Sequence, residues 1–211
     1  MLRTTLAFTA LSFIGLCYAQ NDAIPRPAIK PGDNWSYRRT DYNTGQQSGR
    51  IQLEVTFAND RVIQLVQRNP GKEEDIDVTM TAEWNQINSG NSGVFNPHSG
   101  ILKFPLRAGD SWNAAYDVKF PRQGDYEVKH DRKVRAVGWE DIEVPAGKFR
   151  ALKVVSEGTF TRVDRGVSGT VTEVVWYAPQ VKRFVKWTFE NANARGRLQS
   201  WGFELLDYKV Q

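Results

Sequence analysis

Apolar residues recur at every second position through most of this chain, and this alternation limits the folds that the chain can adopt. Ile51, Leu53, Val55 and Phe57 alternate with polar residues. Two later runs repeat the pattern: Ile76, Val78, Met80, Ala82 and Trp84, then Trp112, Ala114, Tyr116, Val118 and Phe120. Such alternation turns one face of a strand to a core and the other to water, as in antiparallel sheets. Long windows with helical spacing are missing.

The sequence therefore predicts an all-β protein, an antiparallel meander that forms a curved sheet or a half-open barrel. Further strands are predicted at 62–67, 126–129, 134–138, 151–157, 159–163, 167–177, 184–189 and 198–210. Asn59 and Asp60 predict a tight hairpin turn. The run Val144-Pro145-Ala146-Gly147 predicts a type I turn in which Gly147 takes a positive φ.

A weak repeat indicates two similar halves. Residues 29–35 and 106–112 share an apolar and a basic residue, then Gly-Asp, then a Trp that opens a strand. We interpret the repeat as one strand-opening turn used twice. The turn-rich segment 88–100 is predicted to join lobes at 35–88 and 101–211 within a β-rich domain, or to cover a cleft. Residues 20–34, which contain three prolines, are predicted to be an extended lead-in.

The first residues have the layout of a secretory signal. Arg3 supplies a positive charge, an uncharged and mostly apolar run extends to Tyr18, and the small residue Ala19 follows. This layout predicts a signal helix over residues 1–19, cleavage after Ala19 and a periplasmic or secreted protein. Cys17 would leave with the signal, so the mature chain would hold no disulfide. No later run is apolar enough to predict a transmembrane segment.

Composition and motifs disfavour several functional classes. The 211 residues include 28 Lys+Arg and 24 Asp+Glu, a net charge of +4 that is too small and too mixed for a nucleic-acid binder. The two histidines have no metal-ligand spacing, and neither a nucleophile elbow nor a phosphate loop is found. We therefore predict no catalytic residues, no metal and no cofactor. The basic residues at 129–135 and at Lys182, Arg183 and Lys186 are interpreted as surface charges that protect strand edges.

Aromatic side chains are the most distinctive feature, with seven tryptophans in the chain. Most of them fall in register with an apolar strand face, which predicts core packing. Some could instead present a ring to a sugar or an apolar groove. The candidates for ligand binding are Trp139, Trp176, Tyr177 and Trp187.

The second half of the chain carries phrases typical of one family. The run from Val144 to Val154 (VPAGKFRALKV) is followed by the run from Trp176 to Lys186 (WYAPQVKRFVK), and Gly-Asp-x-Trp stands upstream. Over residues 104–210 this order resembles the exported bacterial proteins of domain-of-unknown-function family 3108 and its relatives. The resemblance implies a curved or barrel-like antiparallel protein of the bacterial envelope and assigns no catalytic residue. That family usually has Gly in a Pro-x-Val-Gly run where this chain has Lys182.

Three functions stay open at this point. The favoured one is an exported, non-catalytic protein that binds an apolar or envelope-derived ligand or a protein partner. The second is a glycan-binding module that uses exposed Trp and Tyr side chains. The third is a hydrolase that uses Asp141 and Glu143 or the acidic residues of 73–77, because paired carboxylates can act as acid and base.

Overall fold

A computed structural model describes residues 23–90 and 93–211, and its strands form one closed antiparallel barrel. The strands are β1 (Asn34–Asp41), β2 (Gln46–Ala58), β3 (Val62–Arg68), β4 (Ile76–Thr81), β5 (Gln86–Asn88), β6 (Val94–Asn96), β7 (Ser111–Phe120), β8 (Tyr126–Val144), β9 (Gly147–Arg162), β10 (Val167–Ala178), β11 (Arg183–Asn193) and β12 (Gly196–Lys209). Each strand pairs with its neighbours in sequence, and β1 pairs with β12. The all-β antiparallel meander is confirmed, and its ladder closes completely. The predicted signal helix lies outside the described residues.

Several strands are longer than the alternation predicts. β8 spans the predicted strands 126–129 and 134–138, because residues 130–133 also pair with β9, and it carries a bulge between Ala136 and Gly138. β9 likewise spans two predicted strands. The predicted hairpin turn between β8 and β9 is confirmed, with Gly147 at a φ of 128°. The Asn59 turn is confirmed too, since its side-chain oxygen accepts hydrogen bonds from the backbone amides of Arg61 and Val62, both at 2.9 Å.

The repeated strand-opening turn docks in the same way in both halves. In the first copy the Val55 amide donates to the Asp33 carbonyl over 2.9 Å, and in the second the Ala136 amide donates to the Asp110 carbonyl over 2.9 Å. The glycines that precede the two aspartates have φ values of 89° and 92°. Each copy thus fixes the first strand of a half, β1 or β7, against the strand that follows it.

Lys182 fastens one end of the barrel. It follows a short 3-10 turn, Pro179–Val181, and has a φ of 59°. Its ammonium donates to the carbonyls of Ala28 at 2.7 Å and Gln211 at 2.6 Å, and lies 3.4 Å from the buried Asp33 carboxylate. Glycine adopts such a left-handed backbone more readily than other residues. Here the side-chain contacts offset the conformational cost.

The inward face follows the predicted alternation in much of the barrel, and β2 departs from it at a bulge. In β2, Leu53 and Val55 are buried, but Phe57 is 45% exposed. A bulge between Val55 and Phe57 adds one residue to β2 and reverses the faces beyond it. Phe57 therefore lies on the outer surface, and its prediction as a core residue is wrong. Within the described ranges, no helix has the length and apolar character that crossing a bilayer requires.

Candidate ligand site inside the barrel

A cleft lies inside the barrel, between the β4–β6 region and the facing strands β10 and β11. Its lining residues are Met80, Trp84, Gln86, Ser99, Ile101, Leu102, Glu173, Val175, Arg183, Phe184 and Trp187. Its cavity volume is about 30 Å³, and the wider empty region around the cavity, which includes open solvent, is about 420 Å³. Because β5 and β6 have three residues each, the segment 97–102 rather than a long strand supplies part of this wall.

Arg183 is the most unusual residue of the cleft, because it carries a charge and is only 3% exposed. Its guanidinium carbon lies 4.3 Å from the ring centre of Trp84, 4.9 Å from Phe184 and 5.5 Å from Trp35. Among the described residues no carboxylate is within salt-bridge distance of it, and its Nε has no hydrogen-bond partner. Aromatic faces attract a guanidinium, but they leave its charge uncompensated.

The Tyr37 hydroxyl, which also lies beside Arg183, does not supply a negative charge. It donates to the Phe184 carbonyl over 2.8 Å. Burial raises the pKa of Tyr37, and the nearby Arg183 charge only partly opposes this rise. The phenol is therefore neutral at physiological pH, and Arg183 remains the unpaired cation of the cleft among the described residues.

Trp84 is held against Arg183 by an uncommon backbone conformation. Its φ is 66°, which is rare for a large side chain. The Trp84 indole donates to the Lys182 carbonyl over 2.8 Å, and the ring meets Trp35 edge-on at 5.4 Å. Such strain costs roughly 1–3 kcal/mol and is concentrated at functional sites. The surrounding contacts thus fix an aromatic ring over a buried cation.

A second buried arginine of the interior differs from Arg183 because it has a carboxylate partner, although its Nε also lacks a hydrogen-bond partner among the described residues. Arg132 and Glu173, both buried, form an ion pair that joins β8 to β10. Arg132 also lies 5.4 Å from the Tyr116 ring, and its Nη2 is 3.2 Å from Nδ1 of His130. Burial and the Arg132 charge lower the pKa of His130 to about 3. His130 is therefore neutral and accepts a hydrogen bond from Arg132.

Beyond the cleft, further aromatic rings face the interior from β11 and β12. Trp187 contacts Phe184 at 5.4 Å, Trp201 at 5.3 Å and Phe203 at 5.9 Å. Trp201 also stacks on Phe189 at 4.9 Å. The Trp187 indole nitrogen is buried and has no hydrogen-bond partner among the described residues. These rings form an aromatic cluster that adds apolar surface to the interior next to the cleft.

Of the four residues predicted to contact a ligand, Trp187 lines the cleft and the other three lie elsewhere. Tyr177 points inward but is 1% exposed, with its ring 5.4 Å from Phe104. Trp139 is half-buried and packs against the core. Trp176 lies on the outer face, because its neighbours along β10, Val175 and Tyr177, point inward.

On that outer face, Trp176 is part of a polar cluster. Its indole donates to Glu140 over 2.7 Å, and the ammonium groups of Lys153 and Lys186 lie 5.4 and 5.7 Å from its ring centre. The hydrogen bond from Trp176 is the largest cause that lowers the pKa of Glu140, and Lys153 adds to it. The two ammonium groups flank the ring that a sugar would need for stacking.

The carboxylates considered for a hydrolase lie on exposed strand surfaces. Asp141 pairs with its cross-strand neighbour Arg150 at 3.2 Å, and Glu143 pairs with Lys148 at 3.7 Å. The carboxylate of Asp75, in the acidic segment 73–77, lies 3.3 Å from the guanidinium of Arg68 on β3. In the parts of the chain that the structure describes, no group of three His, Cys, Asp or Glu residues is placed to hold a metal ion.

The basic segments contain the residues that the sequence analysis missed. Both were interpreted as surface charge, but Arg132 is 4% exposed and Arg183 is 3% exposed, so that interpretation is wrong for these two. Arg132 could have been found, because it shares the parity of Val134 and Ala136. Arg183 gave no such signal, since a bulge next to Trp176 shifts the register of β11.

Comparison with known proteins finds a similar fold in bacterial proteins of solved structure. No protein-family model matches the chain, and no curated protein matches it. A candidate lipoprotein from Parabacteroides distasonis is similar, with a TM-score of 0.56, 16% identity and coverage of 89% of this chain and 100% of that one. A candidate exported protein with a YmcC-like fold from Bacteroides fragilis gives 0.55 and 16% at the same coverage. The hypothetical lipoprotein YmcC from Escherichia coli gives 0.50 and 10%, covering 86% and 87%.

At these identities the similarity establishes the fold and leaves function open. The resemblance to family 3108 is confirmed by no family model and stays a prediction. Its expectation of an antiparallel, barrel-like protein agrees with the observed ladder.

Proposed function

We propose that the protein is an exported, non-catalytic barrel that binds the apolar part of an envelope ligand in its interior cleft. The observation that carries this proposal is the lining of the cleft. Its apolar members come from β4, the 97–102 segment, β10 and β11: Met80, Ile101, Leu102, Val175, Phe184 and Trp187. Apolar clefts with a few polar groups are the usual form of small-molecule sites.

Export is supported by two independent observations. Residues 1–19 have the charge, apolar run and small residue of a secretory signal. Two of the proteins with a similar fold are described as lipoproteins, and a third is described as exported. In this proposal the mature protein begins at Gln20 and acts in the periplasm or outside the cell.

The ligand proposal is tested on protein purified from the exported fraction. Mass spectrometry of an organic extract identifies any co-purified lipid, and the intact mass checks the start at Gln20. A neutral apolar dye, N-phenyl-1-naphthylamine, then reports on binding through energy transfer from tryptophan. We expect Val175→Phe, which fills the cleft, to weaken dye binding. Its matched control, Val174→Phe, adds the same ring on the outward face and should leave binding unchanged.

Equal dye binding by both variants, with no lipid in the extract, would contradict the proposal. The glycan alternative is tested on the same sample by titrating cell-wall and storage polysaccharides while following tryptophan fluorescence. It has less support, because the outward-facing Trp176 is flanked by two ammonium groups and hydrogen-bonded to Glu140. A polysaccharide that shifts the fluorescence when the dye does not bind would favour the glycan module.

A further inference from the structure

We propose that the cleft takes a single-chain amphiphile with an anionic head, and that this head pairs with the guanidinium of Arg183. The inference rests on the proposed function, since it gives the chemical class of the ligand that the apolar cleft would hold.

The charge balance of the cleft supports an anion. Arginine stays protonated in proteins, and a buried charge is costly unless it is paired. Arg132 and Glu173 neutralise one another. Arg183 has no carboxylate partner among the described residues, and its Nε is buried without an acceptor. Glu173 of the lining is thus already neutralised by Arg132 from outside the lining, and Arg183 keeps an uncompensated positive charge. A carboxylate or phosphate oxygen would compensate this charge and accept a hydrogen bond from the free Nε–H.

The surroundings of Arg183 are built to keep the guanidinium in place. Trp84 is held over it in a left-handed conformation, 4.3 Å away. Ser99, also on the lining, accepts a hydrogen bond from the Gln86 amide over 3.0 Å, which leaves its hydroxyl hydrogen to donate. Arg183 and Ser99 thus offer donors, whereas Met80 and Phe184 beside them are apolar. This combination suits a ligand with one charged end.

The size of the cleft indicates how such a ligand would lie. The cavity of about 30 Å³ is about the space that one or two waters need, which suits the oxygens of a head group. The wider region of about 420 Å³ includes open solvent, so the alkyl chain of the ligand would extend toward this open side. Because the cavity itself is so small, one alkyl chain is easier to accommodate than two.

The test uses three probes of equal chain length, decanoate, decyl phosphate and neutral decanol. The two anions are kept below their micelle concentrations and decanol is kept below its solubility limit. Binding is followed by tryptophan fluorescence, since Trp84 and Trp187 line the cleft. We expect wild-type protein to prefer the anions, and the stronger of the two identifies the head group. Arg183→Met should weaken anion binding by about 10- to 100-fold, because a charged hydrogen bond is lost, and should change decanol binding far less. Arg183→Lys should retain a preference for anions.

The outcomes separate this inference from the proposed function. If decanol binds as tightly as decanoate, or if Arg183→Met binds decanoate like wild type, the anion site is refuted while apolar binding stands. If none of the three probes binds, the proposed function itself fails. A variant that does not fold leaves the wild-type comparison decisive. There, tighter binding of decyltrimethylammonium than of decanoate would overturn the anion site.

Discussion

Protonation of His130 should make the barrel measurably less stable in mild acid. The imidazole stacks on Tyr116 at 4.8 Å, and Arg132 donates to its Nδ1 over 3.2 Å. The Arg132 contact needs the neutral ring, because a protonated Nδ1 cannot accept a hydrogen bond and would face the Arg132 charge. Arg132 is itself fixed by Glu173, so it cannot easily turn away. Burial and this neighbouring charge lower the pKa of His130 from 6.5 to about 3.

The sign and size follow from the two protonation states. Between pH 6.5 and 3 the unfolded chain binds a proton at this histidine and the folded chain does not. Stability is therefore fully present above pH 6.5 and falls as the pH drops towards 3. At pH 5, about 1.5 pH units below the unfolded pKa, the loss is about 2 kcal/mol, at about 1.36 kcal/mol per unit. This figure holds for any folded pKa well below 5.

The assay is urea unfolding at pH 8 and pH 5, followed by tryptophan fluorescence. Because carboxylates also titrate in this range, the loss of unfolding free energy from pH 8 to pH 5 is measured for both wild type and His130→Gln. The wild-type loss minus the His130→Gln loss isolates the contribution of His130. We expect that difference to be about 2 kcal/mol. His98→Gln, which removes the only other histidine, is the control and should behave like wild type. An equal loss in wild type and His130→Gln would refute the reasoning.

Two further substitutions test the packing of the barrel through urea unfolding. Arg132→Met should cost about 3–5 kcal/mol because it leaves the Glu173 carboxylate buried and unpaired, and adding Glu173→Met should recover much of that loss; a double variant as unstable as the single one would contradict this. Gly158→Ala should cost about 1–3 kcal/mol, because its Cβ would overlap the Asp131 carbonyl. Gly138→Ala, where a Cβ meets nothing within 4 Å, should stay within about 0.5 kcal/mol, and equal costs would count against the overlap.

The sequence predicts much of the strand pattern because alternation is a local property. The run from Trp112 to Phe120 alternates over its whole length, and it forms β7 with Ala114, Tyr116 and Val118 buried. The turn at Gly147 is local as well, since Pro-Ala-Gly defines it within four residues. Barrel closure is different, because the pairing of β1 with β12 depends on the curvature accumulated over all the strands.

Most residues of the candidate site could not be predicted from the sequence, because their positions do not follow from local alternation. Bulges after Ala136 and Trp176 change which residues face inward, and nothing in the local pattern marks them. Trp84 continues the alternation of β4, so it was predicted to be buried, but its left-handed backbone and its place over Arg183 come from contacts with Lys182 across the barrel. Trp187 was predicted as a candidate because it stands between two polar residues, Lys186 and Thr188. This signal is weak, but the residue does line the cleft.

Pairing of the first strand with the last has a consequence for how this chain must be made. Asn34 finds its ladder partner in Lys209, almost at the far end of the polypeptide. Until β12 emerges, the growing chain presents two unpaired borders, one on β1 and one on β11, that can join other chains. A nascent copy can therefore pair with other chains until β12 is made, and a chain that lacks β12 keeps both unpaired borders, on β1 and on β11.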